Sequence, residues 1–132
     1  MATLTLKQDK AASGKQTLEQ RRATHAWAKA KAGIAQHQKD YVNDAKGLPA
    51  LIMNSGLMQV MAFLHGKGGR HEVLASHLRD WLQQAQGTPR DFEAFMQHLL
   101  NAQPTEFQAI TAEAFAWLRW LRQMAPAAAR EV

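Results

Sequence analysis

His37, Asp40 and Asp44 stand at i, i+3 and i+7 and share one face if the stretch that carries them is a single straight helix. Two carboxylates and an imidazole so placed could hold a divalent cation for hydrolysis. No second segment offers an evident further ligand, and Lys46 is near enough in sequence to neutralise the acids instead. Glu113 lies one helical step off an apolar stripe, beside Trp117 and Trp120. It could act as a buried acid, or be tied to an arginine or a backbone N–H beneath a helical bundle. His25, His65, His71, His77 and His98 form no i, i+4 pair and read as loop, cap or boundary residues. None of the serines (Ser13, Ser55, Ser76) stands in a nucleophile-elbow setting, so acyl transfer has no nucleophile.

Charge is the broader signal. The chain carries a formal charge of +5, and residues 1–47 hold all of that surplus; the rest is balanced. Arg21, Arg22, His25, Lys29 and Lys39 fall on one side of a helical wheel, opposite Trp27, Ile34 and Tyr41, with only Asp40 intruding. Lysines and arginines so arranged can follow a phosphate backbone and release its counterions, in a manner blind to sequence. The same stripe is also what an ordinary solvated helix face looks like. Two features favour an anionic partner: a basic arm before the stripe, and Lys67 with Arg70 on a glycine-rich backbone after it. The candidate RNA-binding set is therefore Arg21, Arg22, Lys29, Lys39, Lys67 and Arg70. No metal site and no cofactor is assigned.

These residues need helices to hold them. Residues 1–15 are polar and read as a flexible basic arm, 16–125 as a single helical domain, and 126–132 as a frayed tail after Pro126. Thr17 and Gln20 form a capping-box pattern. From there Ala23, Trp27, Ala30, Ile34 and Tyr41 make one stripe of a helix expected to reach Lys46, about 45 Å at 1.5 Å per residue. Gly33 inside it marks a bend or a close contact. Gly47 reads as the helix stop and Pro49 as the first residue of the next helix. Residues 48–64 are apolar in nearly every direction and read as a central helix buried all round. Gly66–Arg70 reads as a loop, and a third helix runs from His71 to Gln86 with Gly87 as its stop. Thr88, Pro89 and Asp91 read as cap, first residue and first-turn acid of a fourth helix ending by Asn101. Pro104 or Thr105 opens the last one, whose stripe runs from Phe107 to Met124. The four tryptophans read as core, with Trp120 at the margin.

The expected fold class is thus all-α, a compact bundle of about five helices around a buried central one. With 132 residues and no cysteine, one domain in a reducing compartment is the natural reading; no secretory signal or membrane span is visible.

Tyr41, then Lys46–Ile52, Asn54–Leu57 and Ala62–Leu64, resemble the small all-helical subunit of the Cmr module, the type III-B CRISPR RNA-guided effector complex. Arg22-Ala23, Ala26-Trp27 and Trp81-Leu82 flank that motif, and Glu113-Ala114 with Trp117–Arg122 look like the family's closing helix. The resemblance covers roughly residues 20–124. It implies a cytoplasmic, non-enzymatic subunit of an antiviral ribonucleoprotein. Several copies would stack beside the other Cmr subunits and help hold guide RNA and target RNA, with no membrane and no small-molecule substrate. Pro49, Leu51, Ile52, Gly56, Leu57, Phe63 and Leu64 would be structural. Among the candidate RNA-binding residues only Arg22 belongs to a matched motif; the others rest on charge. Two alternatives stand beside this reading: a small metal-dependent nuclease using His37, Asp40 and Asp44, and a plain protein–protein adaptor.

Overall fold

The structure is a computed structural model and describes residues 15–132. Apart from Lys15, the basic arm expected over 1–15 lies outside the described residues. Thr17 opens α1 (Leu18–Ser55) as expected. Its hydroxyl accepts the Gln20 backbone N–H at 3.1 Å, and the Gln20 side chain accepts the Thr17 N–H at 2.8 Å. This reciprocal box satisfies two of the N–H groups that a helix start leaves open. Four more helices follow: α2 (Leu57–Lys67), α3 (Gly69–Gln86), α4 (Phe92–Asn101) and α5 (Pro104–Ala129). The described residues contain no strand, so the fold is all-α. α1 and α5 make the largest interface, and α3 packs against both.

α1 is not straight. Gln38 adopts φ 52°, ψ −132°, a positive-φ conformation that glycine tolerates and other residues resist. Gly33 records how sharp the bend is: a Cβ added there would lie 2.3 Å from the Tyr41 ring. In a straight helix these residues would sit about 12 Å apart along the axis, beyond a tyrosine's reach. Gly33 therefore marks both a bend and a close contact.

The break expected at Gly47 and Pro49 does not occur. α1 runs through both, with Pro49 forgoing the one helix bond to the Ala45 carbonyl. Nor is the 48–64 stretch buried all round. It turns at Gly56 (φ 85°), and each half then has a single inward face: Leu48 and Ile52 before the turn, Leu57, Val60, Met61 and Leu64 after it. Leu51, Met53 and Phe63 are left 42%, 74% and 54% exposed. The hub role passes to the α1–α5 pair and to α3, whose Trp81 and Leu78 are fully buried, as are Trp117 and Leu118 of α5.

The α2–α3 connection is shorter than expected, and the α3–α4 connection is longer. α2 reaches Lys67 and α3 starts at Gly69, so the Gly66–Arg70 loop shrinks to Gly68, at φ 67°. Gly87 ends α3 in the left-handed conformation, as expected. α4 is capped by Asp91, whose carboxylate accepts the Ala94 N–H at 3.0 Å; Thr88 is instead fully buried and caps nothing. Pro104 begins α5, but Pro126 does not end it. The helix continues to Ala129 because Ala125 and Ala128 are packed into the core, outweighing one lost helix bond. Trp81 and Trp117 are core; Trp27 and Trp120 are half-buried, and Trp120 donates to Glu19 at 3.2 Å.

Candidate nucleic-acid interface

The six candidate cations divide into three that hold the protein together and three that face outward. Arg22 belongs to the first set. Its Nε and Nη2 donate to Glu113 Oε2 and Oε1, each at 2.7 Å, and its Nη1 donates to Glu19 at 2.6 Å. Trp81 Nε1 adds a third bond to Glu113 at 3.0 Å, so one carboxylate ties α1, α3 and α5 together. Burial alone would raise the Glu113 carboxyl, but the hydrogen bonds from Arg22 and Trp81 outweigh it and hold the group below its ordinary value. With side chains only 15% and 7% exposed, this pair is a buried fork with little surface to offer an anion. Of the two readings of Glu113, the tied carboxylate is the one the geometry gives.

Lys29 points to a second, partly buried network. Its Nζ lies 3.6 Å from Asp80, which also receives His25 Nε2 at 2.7 Å and Arg90 at 3.0 Å. The His25 hydrogen bond first, and the Arg90 bond after it, hold the Asp80 carboxyl far below the usual carboxylate range. His25 itself is no boundary residue. It sits between the Trp81 and Trp117 rings at 5.2 and 5.3 Å, and desolvation there pushes the imidazole pKa below its ordinary value, against the pull of the Asp80 hydrogen bond. Behind it Tyr41 Oη and His77 Nδ1 meet at 2.8 Å. Burial, then the charge of Lys29, pushes the His77 pKa down to about 4.

Arg70 is the third structural cation. It donates to Asp44 at 2.9 Å and lies 3.5 Å from Asp40. This decides against the His37–Asp40–Asp44 reading, because a guanidinium occupies the place between the two carboxylates. The bend at Gln38 also separates His37 from the other two, so the straight-helix face they were to share does not exist. Among the described residues no group of three His, Cys, Asp or Glu side chains could hold a metal ion.

Arg21, Lys39 and Lys67 are exposed and, among the described residues, pair with no carboxylate; Lys67 lies 5.5 Å over the Phe63 ring. Sequence reasoning missed Arg119 and Arg122 on α5, both exposed. Arg119 is close enough to Glu19 for its charge to help hold that carboxyl down, after the larger contribution of the Arg22 hydrogen bond. Arg21 acts on Glu113 in the same way, so the two arginines bracket one end of the α1–α5 seam. The signal was the i, i+3 spacing of Arg119 and Arg122 off the apolar stripe. Its weight appears only once α5 is placed against the basic helix.

The family model described as CRISPR-associated protein (Cas_Cmr5) matches residues 18–128. The chain belongs to the Cmr5 family. It is thus a small subunit of the CRISPR Cmr module, as the Lys46–Leu64 motif implied. The fold agrees: the crystal structure of a CRISPR-associated Cmr5 family protein from Thermus thermophilus superposes with a TM-score of 0.71 at 26% identity, covering 85% of this chain and 96% of that one. No curated protein matches by sequence. Among the described residues no helix is long and apolar enough to cross a membrane. In this Cmr5-family chain the tied Glu113 lies inside the helical block with Trp81 and Trp117.

Proposed function

We propose that this chain is a non-catalytic structural subunit of the Cmr effector. Several copies would stack along the cytoplasmic ribonucleoprotein, and their cationic rims would lie against the phosphates of guide and target RNA. One observation carries the reading: Arg21, Lys39 and Lys67 stand exposed with no acidic partner among the described residues, whereas Arg22, Lys29 and Arg70 are held by Glu113, Asp80 and Asp44. Binding through a few lysines and arginines is weak for one copy and adds up over a stack. It needs neither cofactor nor small-molecule substrate.

The test is the salt dependence of single-stranded RNA binding. Arg21→Glu with Lys39→Glu should weaken binding and flatten the log–log salt slope by about 0.7 for each phosphate no longer neutralised, with helicity unchanged. An unaltered slope would show that this rim does not meet RNA. Arg22→Glu is unsuitable here because it would break the Glu113 fork.

A further inference from the structure

We propose that Gln38 is a strained hinge through which two copies of this chain exchange the 18–37 arm of α1. The observation is a lone non-glycine residue at φ 52°, ψ −132°, between two stretches of regular helix. Nothing but that one residue interrupts α1, so returning it to helical angles yields one straight rod of about 57 Å and removes the strain. The rest of the chain offers little slack for rearrangement elsewhere: single residues, Gly56 and Gly68, join α1 to α2 and α2 to α3. Short strained hinges are where domain exchange begins.

The arm is also self-contained. Its anchors are Ala26, Ala30 and Ile34 in the core, the Arg22–Glu113 fork and the His25–Asp80 bond, all reaching to α3 or α5 or buried with them. A second copy presents the same α3 and α5. When α1 straightens, the arm leaves its own seam and occupies the identical seam of the other copy, reciprocally. Every interaction of the arm is re-formed between chains, and two strained residues are relieved. The occupant of the vacated seam is therefore a second copy and no other protein.

The fork provides a direct test. A chain with Arg22→Glu brings two carboxylates together in its own seam, and a chain with Glu113→Arg brings two guanidinium groups together. Exchange of arms between these two chains sets the native Arg22 against the native Glu113 in one seam and the two substituted side chains, opposite in charge, against each other in the other seam. The mixture is compared with the doubly reversed chain Arg22→Glu, Glu113→Arg, which pairs within itself. Refolded together at high concentration, the two single variants should give a heterodimer of twice the chain mass by light scattering, melting above either chain alone. A mixture that stays monomeric with the two separate melting points would overturn the proposal. A second measurement is independent of the fork. Glycine accepts the bent conformation and a β-branched residue resists it, so Gln38→Ile should raise the dimer fraction about tenfold over Gln38→Gly after concentrated refolding. Equal dimer fractions in those two variants would equally sink the hinge.

Discussion

Replacing Glu113 with alanine should destabilise the protein by about 3–5 kcal/mol and lower the melting temperature by roughly 10–20 °C. The loss is large because three donors depend on one carboxylate. Arg22 Nε and Nη2 lose their acceptor at a site 15% exposed, and Trp81 Nε1 is left unpaired in the core. An uncompensated buried charge costs far more than the net worth of the pair that hid it. Against a total of about 5–15 kcal/mol for a domain, such a change can unfold much of the population at working temperature. Two companion variants separate this explanation from simple cavity formation. Glu113→Gln, which keeps an acceptor for Trp81, should lose less than the alanine variant. The double variant Arg22→Met, Glu113→Leu removes the stranded charge together with its partner and should recover most of the loss. Thermal melts followed by circular dichroism check all three; a double variant no more stable than Glu113→Ala would contradict the assignment.

Acid should loosen the α1–α3 interface well before it reaches the carboxylates. The sign follows from His77, whose pKa falls from an ordinary 6.5 to about 4 because it is buried, with Lys29 nearby. Between those values the unfolded chain binds a proton that the folded chain refuses, so stability rises with pH. His77 thus contributes fully above about pH 6.5, and its contribution, about 3 kcal/mol, is lost as pH falls towards 4. His25, whose pKa burial also lowers, works in the same direction. Asp80 and Glu113, whose carboxyls are held down, lose their share only at lower pH still. Urea midpoints measured from pH 7 to pH 4 should fall steeply, and His77→Asn should flatten that fall. A flat profile in the unsubstituted protein would contradict the buried, neutral imidazole.

Features set by a few neighbouring residues could be read from the sequence. The Thr17–Gln20 box, the Gly87 stop and the Pro104 start each follow from local backbone chemistry, and all three are present. The tie on Glu113 was foreseeable in kind, since a carboxylate beside an apolar stripe needs a donor. Its partner, ninety-one residues away, was not. Gln38 itself gave no signal, being neither glycine nor proline; only Gly33, five residues upstream, pointed to a bend or a close contact, and the Tyr41 ring packs on it. That single bend undid the His37–Asp40–Asp44 face and moved the helix break away from Gly47 and Pro49. The all-round apolar stretch misled for a related reason: a turn at Gly56 lets two ordinary amphipathic pieces imitate one buried helix. The cationic stripe described one helix and not a surface. A helical wheel shows only its own helix, so it cannot see Glu113 and Asp80 arriving from α5 and α3 to claim Arg22 and Lys29.

Whether the exposed cations of this Cmr5-family subunit lie along RNA is decided inside the assembled effector. The decisive measurement is a cryo-electron microscopy structure of the complex, purified from its native host through a tag on this chain. Neighbouring copies of the chain should appear with RNA phosphates within ion-pair distance of Arg21, Lys39 or Lys67. An assembly in which all three point into bulk solvent, with the RNA running elsewhere, would refute the proposed RNA-facing rim.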